Sequence, residues 1–168
     1  MPIDLFWNGG IGTYVKETNQ THLEVEDRSN DNVRINANEL QCRVFAEGGN
    51  LGLTQKARIQ YSLCGGKINT DFIDNSAGVA TSDKEVNIKI LLNMAITSKQ
   101  LKESDRNQLL QEMNKEVTDL VLKDNYLQTQ LISILESNHS NSFLGINQII
   151  SDLENKGILN RKIENLPS

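Results

Sequence analysis

The chain predicts an α/β fold, a partial parallel sheet followed by an all-helical C-terminal segment, and three observations carry that expectation. Two polar, glycine-bearing stretches, Glu47-Gly48-Gly49-Asn50-Leu51-Gly52-Leu53-Thr54 and Asn69-Thr70-Asp71-Phe72-Ile73-Asp74-Asn75-Ser76-Ala77-Gly78-Val79, are separated by a short amphipathic segment. Each follows an apolar run suited to a buried strand. After residue 98 the spacing of apolar residues becomes helical and stays so. In an open parallel sheet, loops at the carboxyl ends of neighbouring strands share one crevice, and ligands bind there.

Along the chain, Leu5-Phe6-Trp7 closes a short strand, and Asn8-Gly9-Gly10-Ile11-Gly12 reads as a turn because glycine accepts positive φ. Residues 17–32 show little periodicity and read as loop or a short polar helix. Cys42-Arg43-Val44-Phe45-Ala46 is expected to be a buried strand ending at Glu47. Residues 54–64 fit both alternations: Ala57, Ile59, Tyr61 and Leu63 as a strand, Ala57, Tyr61 and Cys64 as a helical face. Thr54 as a cap and Gly65-Gly66 as a stop favour the helix. Residues 67–73 then form a second strand, and the whole is a βαβ crossover.

Ser82-Asp83-Lys84-Glu85 has the pattern of a capping box. The helix it predicts presents Ile88, Leu91, Leu92 and Ala95 on one face. Three more helices are expected. The first covers 105–123, with Leu110, Met113, Val117, Leu120 and Val121 inward. The second covers 126–136, with Leu127, Leu131, Ile134 and Leu135 inward, and is broken by Asn138-His139-Ser140-Asn141. The third covers 142–156, with Ile146, Ile149, Ile150 and Leu153 inward, and is stopped by Gly157.

Composition limits the functions available. The 168 residues are 38% hydrophobic and 5% aromatic, with a formal charge of −5, enough for a lean aliphatic core. Basic residues are scattered, with close pairs such as Lys56/Arg58 and Arg161/Lys162, so the stripe needed to track a phosphate backbone is missing and nucleic acid is not an expected partner. Cys42 and Cys64 lack metal-ligand spacing and read as reduced core residues of a cytoplasmic protein. His22 and His139 stand far apart, so no metal site is expected. The start of the chain reads as lacking a signal peptide, and no apolar run nears the ~20 residues that span a bilayer.

The quoted loops resemble the glutamate/leucine/phenylalanine/valine dehydrogenase superfamily, and more closely the large NAD-specific glutamate dehydrogenases of bacteria. Glu47-Gly48-Gly49-Asn50 stands for that superfamily's Glu-Gly-Ala-Asn loop. Thr70-Asp71 and Asn75-Ser76-Ala77-Gly78-Val79-Ala80-Thr81-Ser82-Asp83-Lys84-Glu85 stand for its Pro-Asp…Asn-Ala-Gly-Gly-Val-x-x-Ser-x-x-Glu stretch. Trp7-Asn8-Gly9-Gly10-Ile11-Gly12-Thr13-Tyr14-Val15-Lys16, Asn125-Tyr126-Leu127-Gln128-Thr129 and the closing Leu153-Glu154…Gly157…Leu166-Pro167 are similar to the large NAD-specific type. Thr70 departs from the superfamily's Pro, Ser76-Ala77 from its Ala-Gly, and Leu51-Gly52-Leu53-Thr54 from its Gly-Pro-Thr-Thr.

The resemblance implies a partial Rossmann-like, NAD-binding domain over 1–98 and a helical C-terminal domain over 99–168. It implies that Gly49, Asn50, Asn75 and Gly78 bind the cofactor, NAD, and that Val79 and Ser82 bind the substrate. Val79 would pack on the substrate's methylenes and Ser82 would meet its distal carboxylate. Each residue also has a plainer role open to it. Ser82 suits a helix cap, Asn75 a turn, and Gly49 and Gly78 the relief of crowding. Gly10-Ile11-Gly12 is not a dinucleotide fingerprint, because Val15 occupies the third glycine position. Asp71 and Asp74 read as strand-end hydrogen-bonding groups rather than a paired acid–base centre.

The implied reaction is oxidative deamination of L-glutamate to 2-oxoglutarate and ammonia, with hydride transfer to NAD. The family's lysine and aspartate that handle protons belong to a preceding substrate domain with no counterpart here, and neither Lys16 nor Lys67 fills that role. The chain is therefore expected to be the C-terminal portion of a larger homo-oligomeric enzyme, inactive alone and partnered by the upstream portion, with no membrane partner. Two alternatives stay open: a non-catalytic helical module that associates with the other part of a split enzyme, and a dehydrogenase for another amino acid. Ser82 favours an acidic substrate over the latter.

Overall fold

The structure, a computed structural model, describes residues 2–164 and 166, and of residues 139–141 the backbone alone. The expectations for Met1, for Pro167 and for the His139 side chain lie outside the described residues. From the N-terminus, β1 (Ile3–Asn8) leads through β2 (Val15–Lys16), α1 (His22–Val25) and β3 (Ile35–Asn36) to β4 (Cys42–Glu47). Then α2 (Gln55–Leu63) returns the chain to β5 (Lys67–Ile68), and α3 (Asp71–Asp74), α4 (Ser76–Thr97), α5 (Glu103–Ser137) and α6 (His139–Asn155) follow. The chain divides into two compact units, Met1–Tyr126 and Leu127–Ser168.

In the first unit, β1, β4 and β5 form a sheet in that order, parallel throughout, with Phe6 opposite Phe45 and Phe45 opposite Ile68. The fold is α/β, and β4-α2-β5 is the expected βαβ unit. The hydroxyl of Thr54 accepts from Ala57 N at 3.1 Å, which starts α2. Gly65, at φ 92, ends it. A second parallel pair, β2 with β3, is tied to the loop after β4 by a bridge between Val15 and Leu53. Val15, Ala37, Phe45, Leu53, Ala57 and Tyr61 form the core. Phe45 stacks on Phe6 at 5.0 Å and meets Tyr61 edge-on at 6.5 Å.

Several expectations are corrected. The second strand is only Lys67–Ile68, and Asp71–Asp74 is helical. The carboxylates of Asp71 and Asp74 turn back to accept from Leu51 N in the loop after β4 and from Glu47 N at the end of β4, which anchors this helical turn. The next helix begins at Ser76, not Ser82, so Ser82 lies two turns inside α4 and caps nothing. The two helices expected over 105–136 are one helix, α5. Asp124 and Asn125 cost only tenths of a kcal/mol each relative to better helix formers, and the Asn125 side chain is engaged elsewhere rather than competing with its own backbone.

Cys64 is exposed at the end of α2 rather than in the core, and Cys42 is half-buried; both are free thiols. β4 is only partly buried, with Val44 exposed. On the helices, Leu92 and Val121 are buried, whereas Leu91, Leu120, Leu127, Leu131, Ile134, Ile146 and Ile149 are exposed. Periodicity identifies an apolar face but not what covers it. In the second unit, α6 ends as expected. Gly157 takes φ 67, and Ile158 N reaches back to Leu153 O at 3.0 Å, a left-handed C-terminal stop. The Arg161 guanidinium clasps Glu154 and holds its carboxyl below the usual range. Among the described residues no helix is long and apolar enough to cross a membrane.

Candidate functional site

At the carboxyl ends of β1, β4 and β5, three loops come together. Gly48 N and Gly49 N both donate to Asn8 O, at 2.9 and 3.1 Å, which joins the turn after β1 to the loop after β4. A Cβ on Gly49 would strike the Gly10 carbonyl, so the two loops touch only because that position is glycine. From the other side, Tyr14 N and Val15 N donate to Gly52 O, and Thr54 N donates to Val15 O at 3.0 Å. The loop carrying Asn50 is therefore held on both flanks.

Asn75 meets Asn50 directly: its Nδ2 donates to Asn50 Oδ1 at 2.9 Å. Asn75 stands at the break between α3 and α4, where a side-chain cap is usual, yet it makes no cap bond. Its amide instead spans from one strand-end loop to the other. Gly78 leaves room for this arrangement, since a Cβ there would lie 2.5 Å from Asn75 Oδ1. A Cβ at Gly49 would thus meet Gly10 backbone and one at Gly78 the Asn75 side chain, so packing within the chain requires glycine at both positions.

A buried ion-pair network lies beneath the two asparagines. Arg58 donates from Nε and Nη2 to the two oxygens of Glu47 at 2.9 and 3.1 Å, and its Nη2 lies 3.3 Å from Asp71 Oδ2. Glu47 is fully buried and Arg58 nearly so. A bidentate pair of this kind fixes geometry as well as charge. Asp71 Oδ2 also accepts from Leu51 N at 2.7 Å, and Asp74 Oδ2 from Glu47 N at 3.0 Å. The two aspartates therefore serve strand-end hydrogen bonding. Leu51 is held at φ 64, a left-handed conformation that costs a side-chain-bearing residue about 1 kcal/mol. Beside this network, Asn8 Nδ2 is buried with no hydrogen-bond partner among the described residues.

Val79 and Ser82 follow Asn75 along α4 at helical spacing, four and seven residues on, so Asn75, Gly78, Val79 and Ser82 share one face. Both Val79 and Ser82 are exposed. Lys16 Nζ is held by Asn36 Oδ1 at 2.5 Å, and Lys67 begins β5 at the opposite end of the sheet. Among the described residues no cluster of three His, Cys, Asp or Glu side chains comes together that would hold a metal ion.

In the sequence Arg58 stands out only as half of a basic pair. Its signal was its place on the face of Thr54 and Tyr61, where a charged residue needs a buried partner. Asn125, whose amide reaches the α3–α4 break from α5, stands out in the sequence only as part of a resemblance.

A family model described as bacterial NAD-glutamate dehydrogenase, catalytic domain, matches residues 1–135. Curated proteins with the name NAD-specific glutamate dehydrogenase are similar along almost the whole chain. The one from Halomonas elongata is 51% identical over 166 residues, 99% of this chain and 10% of its own length. The one from Pseudomonas aeruginosa is 49% identical over 167 residues and that from Mycobacterium tuberculosis 47% over 169, with the same coverage. The chain spans about a tenth of the length of these relatives.

Proposed function

Because this chain belongs to the bacterial NAD-glutamate dehydrogenase catalytic-domain family, we propose that it forms one wall of the nicotinamide and amino-acid site in a much larger NAD-dependent glutamate dehydrogenase. The observation that carries this reading is the hydrogen bond between Asn75 and Asn50. Once paired, the two side chains still offer Asn75 Oδ1 as an acceptor and Asn50 Nδ2 as a donor. A carboxamide ring substituent needs one of each. The residues fit the nicotinamide end of NAD; the glycine-rich turn for the pyrophosphate lies outside this chain, since Val15 interrupts the only candidate.

Bound NAD supplies the hydride acceptor for oxidative deamination of L-glutamate to 2-oxoglutarate and ammonia. The chain's own contribution is positioning. Asn50 and Asn75 orient the ring, Val79 packs on the substrate's methylenes, and Ser82 offers its hydroxyl to the distal carboxylate. The Ser82 contact rests on the hydroxyl alone, since no helix N-terminus stands there. Residues 1–98 act as part of the Rossmann-like domain of the wider amino-acid dehydrogenase superfamily, and residues 99–168 as a helical appendage, in a cytoplasmic homo-oligomer. Proton transfer falls to a lysine and an aspartate from the remaining polypeptide; in this chain Lys16 is engaged by Asn36 and Lys67 begins β5.

The experiment pairs two proteins. The 168-residue chain, given glutamate and NAD⁺, is expected to produce no NADH. A reconstituted enzyme, in which this chain replaces the matched segment of the Halomonas elongata relative, is expected to turn over. Turnover by the chain alone, or a folded but inactive reconstituted enzyme, refutes the reading. A second reading, a non-catalytic helical module, draws on the exposed Leu127, Leu131 and Ile134 of α5; it predicts copurification with the remaining polypeptide but no activity in the reconstituted enzyme.

A further inference from the structure

Asn125 lies in α5, far along the chain from either strand-end loop, yet its Nδ2 donates to Ile73 O at 3.0 Å and to Ser76 Oγ at 2.7 Å. Those two residues bracket Asn75. The bracketed backbone is the break between α3 and α4, where Asn75 departs from helical geometry at φ −96, ψ 7. Such a break leaves a helix-end carbonyl to be satisfied by a side chain or water, and the Ser76 hydroxyl beside it is a further acceptor. Asn75 Nδ2 does not answer them, because it donates to Asn50. Asn125 answers both groups with a single NH₂.

We propose that Asn125 is a positioning residue for the cofactor end of the site: it holds the α3–α4 break so that the Asn75 amide faces Asn50 and, with it, the nicotinamide carboxamide. The inference rests on the reading that Asn75 meets the cofactor. Half-burial of Asn125 shields the two bonds from competing water. An exposed ion pair between Lys84 and Asp124, at 3.9 Å, joins the same turn of α5 to α4. The donor character of the side chain is what matters, because both partners are acceptors here. Aspartate, nearly the same shape, would set a carboxylate against the Ile73 carbonyl.

In the reconstituted enzyme, Asn125→Ala is expected to raise the NAD⁺ KM about fivefold, the value of one ordinary hydrogen bond, and to leave kcat and the glutamate KM unchanged. Asn125→Asp should do the same or worse. In an Asn75→Ala background, Asn125→Ala should add nothing further, because its effect passes through Asn75. Additive effects, or equal losses in every kinetic constant, would mean that Asn125 only stabilises the fold. If Asn75→Ala raises the NAD⁺ KM and Asn125→Ala does not, this inference alone fails; if Asn75→Ala leaves it unchanged, the functional reading fails first. A second measurement needs only the 168-residue chain: Asn125→Ala should speed amide exchange at residues 75–79 by at least tenfold, with β1 and β4 unaffected. Unchanged exchange there would overturn the proposal.

Discussion

Asn75 Nδ2 donates to Asn50 Oδ1 at 2.9 Å, across 25 residues of chain and from one strand-end loop to the next. Neither side chain is tied to its own helix or turn. Each is held in place by its surroundings: Asn50 by loops packed on both flanks, Asn75 by the missing side chain of Gly78 and the donors of Asn125.

Gly78→Ala separates stability from function. Alanine is favoured over glycine in a helix by up to about 1 kcal/mol, so α4 should gain stability. The added methyl would meet Asn75 Oδ1 at 2.5 Å and turn the amide away from Asn50. Urea denaturation of the chain should show unchanged or raised stability, while NADH affinity of the reconstituted enzyme falls about fivefold.

Adjacent glycines should respond differently. A Cβ at Gly49 meets the backbone of Gly10, which can yield only if the loop moves, and Gly49→Ala should cost about 1–3 kcal/mol. A Cβ at Gly48 lies 2.8 Å from the Trp7 indole. Trp7 is largely exposed and free to swing aside. Gly48→Ala should therefore cost less than 1 kcal/mol and appear as a shift in the emission of this single tryptophan.

Arg58→Ala leaves Glu47 buried without its guanidinium partner. Loss of one member of a buried pair costs about 3–5 kcal/mol, and the denaturation midpoint of the chain should fall accordingly. Arg58→Lys should recover little of it, since an ammonium cannot reproduce the two parallel bonds to Glu47 or the further approach to Asp71.

Alkaline pH should destabilise the chain through Tyr61. Burial pushes its phenol above the usual value, and its bond to Cys42 adds to the shift. The folded state then holds this proton more tightly than the unfolded state. The unfolded chain therefore binds fewer protons above pH ~10, and stability falls as pH rises past that point. The contribution is fully present below it. Tyr61→Phe should remove this part of the slope, read by urea denaturation at a series of alkaline pH values.

Elements bounded by local chemistry were legible in the sequence. Thr54 and Gly65 mark α2, and Gly157 marks the end of α6, because caps and left-handed stops are made by residues next to the element they bound. Elements bounded by long-range bonds were not. Residues 71–74 look like the end of a strand until Leu51 N and Glu47 N claim the carboxylates of Asp71 and Asp74. Asp124 and Asn125 look like a helix break until Asn125 binds Ile73 and Ser76. Ser82 imitated a cap because its spacing to Glu85 is the same inside a helix as at its start. Resemblance singled out the two asparagines that the structure brings together, whereas the ion-pair network centred on Arg58 left only the mark of a charge on an apolar face.

The most direct test is a double-mutant cycle on NADH dissociation in the reconstituted enzyme, using Asn50→Ala, Asn75→Ala and the pair. If the two amides act as one rim, each single change weakens binding about fivefold or more, and the double change is clearly less than the product. Unchanged affinity in both single variants, or losses that simply multiply, would contradict a shared nicotinamide rim.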